Sequence, residues 1–476
     1  MESIFSETYW IAGLMIQRSL GLVYLIAFAV ALNQFRPLVG ENGLLPIRNF
    51  LKTSRFRGSP SIFHFYYSDT FFGIISWIGI FLSALAFLGF SELGSLWFSM
   101  FVWFSLWVLY LSIVNVGQVF YSFGWESLLL EAGFFAIFIG PASMAVPVVT
   151  IYIFRWVLFR VEFGAGLIKI RGDKCWRDLT CLNYHHKTQP MPNPLSRFFH
   201  NLDERFHKLE TLFNHFVQLI VPFGLFFPQP VAAISALLII CSQGWLMLSG
   251  NYAWLNFITI ILAFSGISDG VFESLFSFNL VASSAIPSGF EVTLIILAIL
   301  VAWLSIKPVK NIFSRGQLMN FSFNPFHLVN TYGAFGSVTK KRMEIVVKGT
   351  KEKNLGSLTE WKEYTFKGKP TDPSKRPPQF APYHLRLDWQ MWFAALSGFR
   401  TPLWFRRFAE KLLENNKKML SLIDHNPFKE EGPSYIKADL YIYEFTDTDE
   451  YEKTGNIWKR RLVGEYLSPT NKDKNI

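Results

Sequence analysis

Between Lys169 and His186 one short stretch gathers a lysine, two cysteines (Cys175 and Cys181) and two adjacent histidines (His185 and His186). These residue types bind metals, form disulfides or move protons, and spacing separates the three chemistries. The cysteines are six positions apart, which matches neither the two-residue spacer of zinc ribbons nor that of thioredoxin-like motifs. With His185 and His186 a CxxxxxC-x3-HH ligand set can be written, but two adjacent side chains rarely both reach one ion, so no metal is expected. A bridge between Cys175 and Cys181 fits a loop and forms only in an oxidising compartment. Proton chemistry points upstream, to Lys169 beside the acids Glu126, Glu131 and Glu162. A lysine partly removed from water has a lowered affinity for its proton and can serve as a base.

All four ionisable residues stand in or beside apolar sequence, where a charge costs about 2.5–3.5 kcal/mol on insertion scales and so has a reason to be present. One reading pairs Glu131 with Arg160, or Glu126 with Arg155, as structural staples between adjacent helices. The other lines a polar cavity with them, with Lys169 as its base. Arg18, alone in the first apolar run, is expected to neutralise one of these acids, and Asp269 and Glu273 to sit in an exposed turn.

The elements that position these groups are membrane helices. Hydrophobic residues make up 51% of the 476 positions, which excludes an ordinary soluble enzyme. No Lys or Arg occurs between Arg57 and Arg155 or between Lys208 and Lys307, room for several spans at about 20 residues each. Apolar runs predict nine spans, with a range of 8–10, at 10–32, 71–90, 96–115, 125–141, 146–164, 212–227, 230–249, 251–266 and 288–306. The first run lacks the flanks of a cleaved signal and reads as a retained span. An odd count puts the loop at 33–70, a hydrophilic island at 165–211 and the C-terminal region on one face. The island's segment TQPMPNP, 188–194, is stiff and extended.

After residue 307 the composition becomes that of a soluble domain, giving a division into 1–307 and 308–476. The second part holds 28 Lys+Arg against 19 Asp+Glu. Such a basic balance beside a bilayer suits anionic membrane lipids or an acidic partner; nucleic acid is not an expected partner, because no nucleic-acid motif accompanies the charge. Segments 343–350, 361–368, 435–446 and 457–467 read as strands, 403–422 as an amphipathic helix with Leu403, Phe405, Phe408, Leu412 and Met419 on its apolar side, and the five-proline stretch 369–383 as an extended loop. The fold class expected is a polytopic α-helical membrane domain followed by an α+β or sandwich-like domain. No cofactor is expected.

The blocks FGWESLLLEAGFFAIF (123–138), the run from Arg155 to His200, LETLFNHFVQLIVPF (209–223), LSGNYAWLNFITI (248–260), PPQFAPYHLRLDWQMWFAALS (377–397) and IKADLYIYEF (436–445) resemble signature blocks of the lipase maturation factor family. The resemblance implies a polytopic, chaperone-like protein that assists folding and assembly of secreted lipases, placed in the endoplasmic reticulum membrane in eukaryotes and in the inner membrane in a bacterium. It brings no catalytic residues. Client lipases become the expected partners, with the island as the client-contact loop through Trp176, His185, Pro190 and Pro192. The family also implies a lumenal C-terminal region, whereas basic residues in the loops favour the cytoplasm by the positive-inside rule; long loops and domains escape that rule. A second resemblance is shorter. AGLIKIRGDKCW (165–176) is similar to the segment of the vitamin K-dependent γ-carboxylase, within a superfamily of horizontally arranged transmembrane domains, that carries its catalytic lysine, and Lys169 occupies the matching position. It implies the alternative of a membrane enzyme with Lys169 as base on a lipid or quinone-like substrate. A structural membrane protein with no client is the third reading.

Overall fold

The computed structural model describes residues 7–276 and 284–472. Every expected apolar run is helical, but fewer than nine meet the requirements of a span. Among the described residues five helices are long and apolar enough to cross a membrane: α1 (Trp10–Val39), α2 (Asp69–Phe87), α3 (Leu96–Val116), α7 (Val231–Ser249) and α9 (Ser288–Phe313). A sixth crossing arises if the bent pair Leu255–Gly266 and Asp269–Leu275 counts as one; its first helix is α8 (Leu255–Ala263). The remaining runs fall short for physical reasons. Helix α4 (Gly124–Ala136) has 13 residues, about 20 Å of rise against a hydrocarbon core of about 30 Å. Helix α5 (Val148–Arg171) is long, but carries Arg155, Arg160, Glu162, Lys169 and Arg171. Helix α6 (Glu204–Leu219) is amphipathic and stops at Ile220, before Pro222.

Local signals set several helix starts. Ser68 and Ser95 accept hydrogen bonds from the backbone of Phe71 and Phe98 at the heads of α2 and α3. Helix α1 lacks a local cap, and Asp269 supplies one from far along the chain: its carboxylate accepts from the backbone N–H of Trp10 (2.8 Å) and Ile11 (2.9 Å). Asp269 is therefore buried and not in an exposed turn. Arg18 neutralises Glu92 at 2.9 Å and none of the acids nearer the island.

The composition break after residue 307 falls inside α9, whose last turns run through Pro308 to Phe313. The C-terminal region has an α+β arrangement, with a four-stranded antiparallel sheet in the order β2-β1-β5-β6 and a two-stranded β3-β4. The long strands are β1 (Arg342–Thr350), β5 (Tyr435–Phe445) and β6 (Trp458–Thr470). The segment expected as one strand at 361–368 forms two short ones, β2 (Lys362–Glu363) and β3 (Thr365–Phe366), the latter pairing with β4 (Ile423–His425). The first helix here, α10 (Arg386–Leu396), is buried on several sides, so its apolar residues show no one-sided period in the sequence. The helix expected at 403–422 ends as α11 (Leu403–Leu413), with Asn416 capping a separate turn at Lys417–Leu420; Leu403 is exposed, while Phe405, Phe408 and Leu412 are buried.

Island, loops and C-terminal region meet at one end of the bundle. Gln34 at the end of α1 donates to the carbonyl of His384 (2.7 Å) and accepts from the N–H of Arg386 (3.1 Å). Asn115 at the end of α3 donates to the carbonyls of Pro60 and Pro325. Arg342 of β1 donates to the carbonyls of Lys187, Gln189 and Pro190 in the island.

Candidate functional site

The charged residues divide into closed pairs and one open cavity. Glu131 of α4 is fully buried and receives Arg160 of α5, as spacing on adjacent helices predicts. Its Oε2 also accepts from the backbone N–H of Asn330 (3.0 Å), from Asn330 Nδ2 (2.8 Å) and from the Tyr332 hydroxyl (2.7 Å). Arg160 in turn donates to the carbonyl of Asn330 at 2.6 Å. Glu126 does not meet Arg155. Its carboxylate lies 2.7 Å from Arg386 and 3.5 Å from His384, both from the C-terminal region, and accepts the Tyr110 hydroxyl. Arg155 instead donates to the carbonyls of Ser265 (2.8 Å) and Leu225 (2.9 Å) and to the Tyr9 hydroxyl (2.8 Å). Arg386 stacks over the Tyr121 ring at 3.5 Å. Both acids are thus joints between the bundle and the chain that follows α9.

Glu162 and Lys169 are seven residues apart on α5, which puts them on one face about 10 Å apart along the axis. That face borders a cavity of about 400 Å³ enclosed by α5, α6, α7, the island, the strap at 332–337 and α10. At the end of α5 nearer the island, Lys169 donates to Asn214 Oδ1 (2.8 Å) and Gln218 Oε1 (2.9 Å) of α6, and its ammonium lies 4.9 Å from the centre of the Trp176 ring. Two turns deeper, Glu162 accepts from Gln243 Nε2 (2.6 Å), and Gln243 Oε1 accepts from Asn256 (2.7 Å). Glu162 Oε2 is buried and makes no hydrogen bond of good geometry among the described residues, although the Gln218 amide stands close enough to the carboxylate to favour its charge. On α6 Glu210 also lines the cavity; it accepts from Trp245 (2.7 Å) and stands 3.9 Å from His186. Burial raises the Glu210 pKa. Burial, followed by the charge of Lys169, brings that of His185 down to about 4.

The strap reaches α5 because two glycines leave it room. A Cβ on Gly164 would meet the Tyr332 carbonyl oxygen at 2.4 Å, and one on Gly172 the Gly336 oxygen at 2.1 Å. Phe335 packs edge-on against His185 and Tyr252, and its carbonyl accepts from Trp176 Nε1 at 2.8 Å. Cys175 and Cys181 are joined by a disulfide that closes the turn around Trp176. Among the described residues no group of three His, Cys, Asp or Glu side chains could hold a metal ion.

Lys169, Glu162, Trp176, His185 and Pro190 are thereby brought together around one cavity, while Glu126 and Glu131 lie outside it. The four residues expected to face a client, Trp176, His185, Pro190 and Pro192, are all buried; the island is a folded layer between bundle and C-terminal region, and not a free loop. Sequence reasoning missed Gln243 and Asn256, polar residues within apolar runs, Glu210 on the amphipathic α6, and the aromatic wall of Trp389, Trp392 and Phe393. For Gln243 and Asn256 the signal is polarity in otherwise apolar helices.

Comparison with known proteins covers nearly the whole chain. The family model for the lipase maturation factor transmembrane domain matches residues 11–274, and that for the lipase maturation factor C-terminal domain matches residues 328–468. The chain is 40% identical to lipase maturation factor 1 of Bos taurus, over 98% of this chain and 90% of the bovine protein. It is 39% identical to the Homo sapiens counterpart, over 98% and 89%, and 28% identical to lipase maturation factor 2 of Xenopus tropicalis, over 94% and 80%. No solved structure matches the chain.

Proposed function

Because the chain belongs to the lipase maturation factor family, we propose that it is a membrane-embedded, chaperone-like maturation factor that helps secreted lipases fold and assemble, working from the endoplasmic reticulum membrane. The observation that carries this reading is the length of the likeness, which runs through bundle, island and C-terminal region alike. The Cys175–Cys181 bridge supports a lumenal position for the island and for the C-terminal region packed on it, since disulfides persist in oxidising compartments. The γ-carboxylase-like alternative gains no support from these relatives, and Lys169 is assigned no role as a base. In this reading Glu126 and Glu131 lock the C-terminal region to the membrane bundle, and clients meet the outer surface of the assembled unit. Membrane lipids surround the five or six apolar helices.

The test is co-expression of the full chain with a dimeric secreted lipase in cells that lack their own maturation factor. Secreted lipase activity per unit of secreted lipase mass is expected to rise several-fold. Unchanged specific activity at normal membrane abundance of the factor would overturn the reading. Thiol labelling after reduction addresses topology: the half-buried Cys175 should react only from the lumenal side.

A further inference from the structure

We propose that the cavity between α5, α6, α7 and α10 is a binding site for a neutral single-chain lipid with a polyol headgroup, of the monoacylglycerol class. Its volume of about 400 Å³ lies in the range of about 300–1,000 Å³ typical of small-molecule sites. Much of the wall is apolar and aromatic, with Trp389, Trp392 and Phe393 of α10 on one side and Leu246 of α7 and Leu255 of α8 on another. Such a wall takes an alkyl chain.

The polar groups define the headgroup. Glu162 is 1% exposed, lines the cavity, and its Oε2 makes no hydrogen bond of good geometry, with only the Gln218 amide nearby. An unpaired buried acceptor costs about 1–3 kcal/mol, more when charged, so a donor from a ligand would be rewarded there. Glu210 Oε2, also at the cavity wall, lacks a donor, and neither ring nitrogen of His186, whose Nε2 is 3.9 Å from it, makes a hydrogen bond. A fatty-acid carboxylate or a phosphate would bring negative charge to two carboxylates. A cationic headgroup would meet the Lys169 ammonium. A hydroxyl avoids both conflicts, because it donates to a carboxylate oxygen and accepts from an ammonium or imidazole N–H. Two neighbouring hydroxyls would serve Glu162 and a second wall group together, which a glycerol headgroup does and a single alcohol does not. The proposal concerns binding alone; it does not depend on the maturation reading, and its test uses no lipase.

The test uses the full chain in phosphatidylcholine nanodiscs and a monoacylglycerol carrying a diazirine in its acyl chain. After irradiation, peptide mass spectrometry is expected to find the label on α10, at Trp389 to Phe393, and unlabelled 1-monooctanoylglycerol is expected to compete for it while octanoate and octyl phosphocholine do not. Ala165, between Glu162 and Lys169 on the same face of α5, lines the cavity, so Ala165→Phe should fill it and abolish α10 labelling. Glu162→Gln keeps the shape and removes the charged acceptor; apparent affinity should fall about tenfold or more. Thermal unfolding without lipid checks that each variant is folded, and the Gln variant carries the test if the Phe variant is not. Labelling spread over the lipid-facing helices and unchanged in Glu162→Gln would overturn the proposal, as would equal competition by octanoate.

Discussion

Two acids of α4 and one of α5 are equally buried in an apolar bundle, yet they have opposite fates. Glu126 and Glu131 are closed in by a guanidinium and several hydrogen-bond donors, most of them from the chain beyond α9. Glu162 has no guanidinium, only the amides of Gln243 and Gln218 and the more distant Lys169, and it faces a cavity. A carboxylate taken out of water demands compensation, and a fold supplies it by bringing a cation to it or by leaving it a space that water or a ligand can enter. The first solution makes a joint and the second makes a site. The closed acids therefore belong to assembly, and the open one to binding.

The comparison is sharpest where a closed pair is broken. Glu131→Ala strands Arg160 in the interior together with Asn330 and Tyr332, and Arg386→Ala strands Glu126. Each should cost about 3–5 kcal/mol, the range for removing one partner of a buried pair. Thermal unfolding and protease resistance of the C-terminal region measure the loss, and a cost below about 1 kcal/mol, as for an exposed pair, would remove the distinction between joint and site.

Acid should open the Glu126 joint through His384. This ring is fully buried among Phe123, Trp125, Trp254 and Trp389, beside Glu126 and Arg386. Burial first, then the Arg386 charge, brings its pKa down to about 4, against the opposing pull of Glu126. The folded state then binds fewer protons than the unfolded one, so stability is intact above the ordinary value of 6.5 and is lost progressively as pH falls towards 4. The full loss is about 3 kcal/mol. Asp388 works the other way: burial raises its pKa to about 6 despite the backbone N–H groups of Gly368 and Lys369, so its contribution grows as pH falls from 6 towards 3.8. The two nearly cancel, so the readable effect is relative: compared with the native chain, His384→Gln should gain about 3 kcal/mol as pH falls from 6.5 to 4. An unaltered profile would mean that the joint does not exclude protons.

The wall of the open site has its own staple. Removing the Cys175–Cys181 bridge by a double Ser substitution releases a loop whose ends are six positions apart, worth about 2 kcal/mol by chain entropy. The effect should stay local to the Trp176 turn, read as faster amide exchange there with the Glu131 joint unchanged.

How much of this was legible in the sequence depended on distance along the chain. Glu131 and Arg160 lie on consecutive helices, and their opposite charges announced the pair. Glu126 and Arg155 looked equally matched, but the partner of Glu126 is Arg386, and no local pattern links positions that far apart. Asp269 looked like a turn residue because its partners, the first N–H groups of α1, lie 259 and 258 positions away along the chain. The island misled in a different way: its polarity suggested exposure, whereas His185 bonds to the Tyr252 hydroxyl at 3.0 Å and Gln189 to the Ser249 carbonyl at 2.8 Å, inside a buried network. Apolar periodicity found the long helices of the bundle, missed Asp269–Leu275 and the first turns of α6, and overcounted spans, because 13-residue α4 and charged α5 are apolar for reasons of protein packing more than of contact with lipid.

The smallest expected effect tests the open site itself. Lys169 makes two hydrogen bonds, to Asn214 and Gln218, and in a closed environment its loss would leave both amides stranded. Here those amides border the cavity, where water can take over their bonds. Lys169→Met keeps an unbranched stem against Trp176 and should cost only about 1 kcal/mol, the net worth of ordinary hydrogen bonds. Equilibrium unfolding compared with Glu131→Ala measures the ratio between the two sites. A Lys169→Met penalty as large as that of Glu131→Ala would mean that the cavity is sealed to water and that Lys169, like the α4 acids, is a joint.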